Sequence, residues 1–258
     1  MRPSSWSELL EALYTGSWNP TLGRFRSPYA FRGQTLASED LSSRLLRLAA
    51  GRSGVERLEL HLLRNFRKYA YEQGSTDTIW HWLALGQHRG LPTRLLDWTY
   101  SPYVALHFAT QNAAKQQLDG AVWRVDYVRA HERLPDNLRA ALEEEGANVF
   151  TTELLAEAAP SLGDLEGEFA LFVEPPSFDA RIVNQYALFS VVSPAERRLD
   201  EWIERHPGLG DRIVIPAELK WEVRDKLDQA NITERVLFPG LDGISRWLAR
   251  YYTPRRGT

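Results

Sequence analysis

The sequence predicts an α+β fold in one domain, with helices crowded into the first half and short strands into the second. Three observations predict it. Apolar residues recur at helical spacing through most of the stretch up to Gly86. Short runs rich in aromatic and β-branched residues follow Phe169. No repeat, low-complexity tract or Gly/Ser linker divides the 258 residues, so the core is expected to run from about residue 5 to residue 250.

The elements follow in order. Trp6, Leu9, Leu10 and Leu13 share a helical face, with Ser4 or Ser5 as its cap. A Gly/Pro-rich turn over 16–28 leads into the short strand Tyr29-Ala30-Phe31-Arg32. Val55, Leu58, Leu62, Phe66 and Tyr69 mark the stripe of a long helix. Residues 90–101 are extended and end at Ser101-Pro102, a cap followed by a first-turn proline, with Val104, Ala105, Phe108 and Ala109 on the buried side. Gly120 to Tyr127 alternates as a strand does. Residues 131–165 are acidic and weakly patterned, and read as helix and loop decorating the core. Strands are expected at Phe169–Val173, Arg181–Val183, Leu188–Val192 and Arg212–Ile215. Helices at about 217–229 and 241–251 complete the pattern.

Composition removes several chemistries. There are no cysteines, so disulfides, thiolate metal sites and a cysteine nucleophile are excluded. The six histidines form no HExxH or other ligand pair, so no metal is expected. Neither a GxxxxGK[ST] loop, a GxGxxG turn after a strand nor a GxSxG elbow occurs. A net charge of −3 gives no whole-chain attraction to nucleic acid or anionic lipid. No stretch reaches the length of a membrane span or a signal-peptide core, so the chain reads as cytoplasmic, without a membrane partner. The 9 Trp, 10 Tyr and 10 Phe fill a core, and some of them are candidates to wall a pocket for a planar ligand.

Two segments carry polar groups where a core has little use for them. In Phe31-Arg32-Gly33-Gln34 an arginine late in a strand precedes a glycine, placing a guanidinium beside backbone that a ligand can approach closely. The plainer reading is a surface salt bridge at a strand end. The second segment, Gly86 to Ser101, packs His88, Thr93, Arg94, Asp97, Trp98, Thr99 and Tyr100 just before a helix N-terminus, where free amides favour phosphate. Here too a structural reading stands beside it: an Arg94–Asp97 ion pair, and Ser101 as a cap alone.

The spaced pair FRGQ and GQHRGLPTRLLDWTYSPYVALHFA resembles the FRG domain, named for its Phe-Arg-Gly motif. Leu171 to Pro176, Arg181 to Gln185 through Phe189, and Val236 to Gly243 fit the same pattern, so the resemblance spans nearly the whole chain. The family usually has a glycine two places after the glutamine; here Ala187 stands there. The layout is in turn similar to that of ADP-ribosyltransferases, which implies a split, mainly antiparallel sheet of short strands. In that layout Arg32-Gly33 lies on a first strand. Thr99 to Ser101, with Ala105 and Phe108, forms a strand-to-helix segment, and Gln185 lies on a third strand where a glutamate is usual.

The resemblance implies an enzyme that consumes NAD and modifies a macromolecule, protein or nucleic acid. A toxin or antiphage effector is one such enzyme, and an antitoxin or immunity protein would be its partner. Arg32, His88, Asp97 and Gln185 are the candidate catalytic residues. Arg32, Gly33, Gln34, Thr93, Arg94, Trp98, Thr99, Tyr100 and Ser101 are the candidates for holding NAD, with Trp98 or Tyr100 as the nicotinamide wall. Gln185 supplies no charge to an oxocarbenium-like state, and Glu174 is the alternative carboxylate. Two other readings stand: a non-catalytic nucleotide or nucleic-acid binding module, and a metal-independent nuclease working through His88 and Arg32.

Overall fold

Ser5 opens the first helix: its side chain accepts from the Glu8 amide, and α1 (Trp6–Tyr14) buries Leu9 and Leu13. The computed structural model describes residues 1–70 and 78–254. A small ribbon of β1 (Trp18–Asn19) and β2 (Arg24–Phe25) precedes β3 (Tyr29–Gln34). Three helices, α2 (Arg44–Ala49), α3 (Val55–Tyr69) and α4 (Ile79–His88), lead to β4 (Leu96–Thr99). Next comes α5 (Pro102–Thr110), capped by Ser101, which accepts from the Val104 amide. The middle of the chain forms β5 (Gly120–Asp126), α6 (Tyr127–His131), α7 (Asp136–Glu145), β6 (Phe150–Thr151), α8 (Thr152–Ala158) and β7 (Phe169–Glu174). Then come α9 (Ala180–Asn184), β8 (Ala187–Ser193), α10 (Leu199–Arg205) and β9 (Gly210–Ile215). The last helices are α11 (Lys220–Gln229), α12 (Glu234–Leu237) and α13 (Leu241–Tyr251).

Seven strands make one sheet in the order β6-β7-β8-β4-β3-β5-β9, antiparallel except for β6 against β7. β3 pairs with β5 along its whole length, from Tyr29–Asp126 to Gln34–Ala121. It meets β4 only at Phe31–Thr99. Beyond that pair the two strands diverge, and the sheet splits into a β6-β7-β8-β4 part and a β3-β5-β9 part. Both faces are covered, because alternate residues of one strand enter different cores. Leu171 and Val173 pack under α3, α4, α7 and α8, while Ala170 and Phe172 pack with Trp98 and Trp202. A third cluster joins α1, α5 and α11 to Phe31, Val122 and Ile213.

Gly33 lets α5 lie directly on β3. A Cβ built there would overlap the Ala105 carbonyl and come within 2.7 Å of the Ala109 amide nitrogen.

The α+β class holds, with three corrections. The sheet draws β3, β4 and β5 from the first half, so helices and strands are not segregated along the chain. The expected strand Arg181–Val183 is the helix α9, because Asp179 caps it through the Arg181 amide. A run this short carries no period that separates strand from helix. Residues 131–165 are core rather than decoration: Leu138, Leu142, Phe150 and Leu155 are buried in the cluster beneath β7. Their acidic residues lie on the outer faces of amphipathic helices, which is what hid the pattern. Among the described residues no helix is long and apolar enough to cross a membrane.

Candidate active site

The point where β3 leaves β4 is also where the polar residues gather. A cavity of about 370 Å³ opens there. β3 contributes Arg32, Gly33 and Gln34, β4 contributes Asp97 and Thr99, and α4 contributes His88. Gln185 and Arg181 enter from α9 and its C-terminal end, with Phe108 and Phe238 as aromatic wall.

Arg32 spans the gap that the strand ladder leaves open. Its NH1 donates to the Asp97 carbonyl at 2.6 Å and stands 3.9 Å from the Asp97 carboxylate. Its Nε is buried and reaches no acceptor. Burial pulls the guanidinium below the usual arginine range, Asp97 opposes this, and Arg47 adds to it. Such a cation is under-neutralised, and an anion entering the cavity would relieve it. Arg44 and Arg181 line the same space, against the carboxylates of Asp97 and Glu39.

Asp97 is held in turn. Thr93 donates to the Gln87 side-chain oxygen at 2.7 Å, and the Gln87 amide donates to Asp97 at 2.9 Å. His88 pairs through Nε2 with Asp179 at 2.8 Å. Burial would raise the Asp179 carboxyl, but the bond from His88 and the neighbouring amides of α9 hold it below the usual range. A neutral His88 that donates from Nε2 keeps its lone pair on Nδ1. Gln185 donates from its side chain to the Leu237 carbonyl at 2.8 Å, and its own carbonyl accepts from Thr99 at 2.8 Å. Gln185 thus closes the end of α9, not a strand as the layout implied, and Tyr186 takes the left-handed turn into β8 with φ 49°.

Four of the sequence candidates do not line the cavity. Arg94 is turned away to Glu59, its backbone amide and Nε both donating to that buried carboxylate while NH2 reaches Glu56 at 3.5 Å. Thr93 acts only through Gln87, and Ser101 caps α5. Tyr100 donates to Glu174 at 2.7 Å and packs on Tyr127 and Tyr186, which removes both Tyr100 and Glu174 from the cavity wall. Trp98 borders the cavity, but its indole bonds Ser190 and packs on Phe172 inside the core, so the aromatic wall falls to Phe108 and Phe238. Gln34 also borders it with both ends committed, to the Asp40 carbonyl and the Trp123 indole.

Sequence reasoning missed Asp179, Arg181 and Phe238. Asp179 had a findable signal, an acidic cap two residues before Arg181; Phe238 sits in a segment whose motif suggested no chemistry.

Residues 27–118 match the FRG domain. The match runs from just before β3 to just past α5, so the FRG segment supplies Arg32, His88, Asp97 and Thr99. The opposite wall, with Arg181, Gln185 and Phe238, comes from sequence beyond the FRG match, as does Asp179, which reaches the cavity only through His88. No curated protein and no solved structure matches the chain. Among the described residues no group of three or more His, Asp or Glu side chains is placed to hold a metal ion.

Proposed function

We propose that the FRG cleft binds NAD and transfers its ADP-ribose to a macromolecule. One observation carries the reading: Arg32-Gly33, Thr99 and Gln185, far apart in sequence, line one cavity where the sheet divides. These are the three positions that the ADP-ribosyltransferase layout assigns to the donor.

In this reading Arg32, Arg44 and Arg181 hold the pyrophosphate through charge-assisted bonds. Phe108 and Phe238 supply the aromatic surface that borders the nicotinamide. Gln185, its amide spent on Leu237, presents its side-chain oxygen to a ribose hydroxyl. The bond between nicotinamide nitrogen and ribose breaks with its electron pair leaving on nicotinamide. The acceptor nucleophile then adds to the same ribose carbon. Asp97 is the fixed carboxylate that offsets the positive charge between the two events, replacing the usual glutamate. His88, with Nε2 on Asp179, takes the acceptor proton at Nδ1.

A second reading, nucleotide binding without turnover, is favoured by the neutral Gln185, whose amide is already tied to backbone. NAD consumption by the wild type beside Arg32→Ala, Asp97→Ala and Gln185→Ala, with cell lysate as acceptor source, decides between them. The transferase reading expects turnover that falls roughly 10²-fold or more in variants that still melt cooperatively. An NAD-dependent rise in Tm without turnover supports the binding reading. Neither response would remove NAD from the account.

A further inference from the structure

We propose that the cleft has a second chamber and that it receives single-stranded nucleic acid as the acceptor, an inference that rests on the transferase reading above. A cavity of about 480 Å³ adjoins the first, and the two share Thr35 and Gln111 in their walls. The rest of this chamber comes from Asn112 and Ala113 after α5, from Glu234 on α12, and from Arg246, Ala249, Arg250 and Thr253 on and just past α13. The junction is tied to α11, where the Thr35 carbonyl accepts from the buried Lys220 amine at 2.9 Å.

Phe238 stands at this junction with a guanidinium beside it in each chamber. Arg181, which lines the first, lies 5.7 Å from the ring centroid, and Arg246, which lines the second, lies 5.2 Å from it. In the first chamber Arg32, Arg44 and Arg181 face Asp97 and Glu39, an excess of one cation. NAD matches that excess, since its pyrophosphate carries two negative charges and its nicotinamide one positive. In the second chamber Glu234 and Arg250 neutralise each other at 2.6 Å. Arg246 has no carboxylate partner among the described residues, so this chamber stays cationic when NAD fills the first.

The acceptor must therefore bring a nucleophile to Thr35 and Gln111 with an anion close behind it. In a nucleic-acid strand every base and terminal hydroxyl has a phosphate within one nucleotide, so one arginine beside the junction serves any position. A polypeptide would meet the requirement only where an acidic side chain flanks the nucleophile. A base reaches the ribose carbon inside this recess only when it is out of its stack and unpaired, so the strand expected there is single.

The test is anisotropy of labelled single-stranded RNA and DNA oligonucleotides with the full chain, beside Arg246→Glu and Arg246→Ala, over a salt series. Arg246 is exposed, so neither substitution disturbs the core. The expected result is oligonucleotide binding that Arg246→Glu weakens about 10-fold and Arg246→Ala less. The salt slope should fall by about one. Both variants should keep the NAD-dependent rise in Tm. Binding equal in all three proteins, or no binding by the wild type, overturns the proposal. Polyglutamate competing as well as the oligonucleotide also overturns it and assigns the chamber to an acidic polypeptide. Loss of the NAD response in every protein, with oligonucleotide binding intact, would overturn the transferase reading alone.

Discussion

Arg32 and Arg94 lie in motif segments that looked equally functional, and their surroundings separate them. Arg94 is buried against Glu59, which has no exposure, and burial already pushes that carboxyl up against the pull of Arg94. Removing one partner leaves a buried charge alone, so Arg94→Ala is expected to cost about 3–5 kcal/mol in a urea melt. Arg32 donates to one carbonyl and stands at the outer limit of ion pairing with the half-exposed Asp97. Arg32→Ala is expected to change stability by about 1 kcal/mol or less while NAD binding is lost. Equal destabilisation by the two would make Arg32 structural. At this scale the sequence located polar residues that a core does not need, and Arg32, His88, Asp97 and Gln185 do meet in one cavity. It could not sort them from Arg94 and Tyr100, because the deciding partners, Glu59 and Glu174, lie 35 and 74 residues away.

The elements were legible where capping and period act together. Ser101 with Pro102 marked the start of α5, and Ser5 that of α1. They were not legible where neighbours decide. Residues 181–183 became helix through the Asp179 cap, and the acidic middle joined the core through apolar positions spread over α7, β6 and α8. Two substitutions on α5 and its neighbour probe this level. Ser101→Ala removes one capping acceptor and is expected to cost about 1 kcal/mol, with NAD affinity unchanged by calorimetric titration. Gly33→Ala forces a methyl into the Ala105 carbonyl, so α5 must lift from β3. That variant is expected to lose several kcal/mol or fail to fold. A stable Gly33→Ala protein would contradict the close packing of α5 on β3.

For the whole molecule, two buried histidines link stability to pH. His131 donates from Nδ1 to the Asn148 carbonyl and accepts at Nε2 from the Phe172 amide, an arrangement that needs the neutral ring. Burial lowers its pKa to about 4. Burial and the adjacent Arg224 lower that of His107 to about 3. In the unfolded chain both titrate near 6.5, so below that pH the unfolded state binds protons that the folded state refuses. Their contribution is full above pH 6.5 and is lost as pH falls toward the folded values. At pH 5 each is expected to cost about 2 kcal/mol, read as a Tm lower by several degrees than at pH 7. A Tm flat between pH 7 and pH 5 would contradict the buried neutral rings.

The single β3–β4 pair has a consequence for how such a cleft diversifies. In a continuous sheet the spacing of neighbouring strands is fixed by main-chain bonds at about 4.8 Å, whatever the side chains are. Past Phe31–Thr99 no such bonds operate, and the aperture is set by what residues 32 and 97 place across it. A substitution there changes the width and polarity of the opening without breaking a ladder on either side. The scaffold therefore separates inheritance of the fold from choice of ligand: chains that share the architecture can drift in what they admit, and resemblance along the strands says little about the guest.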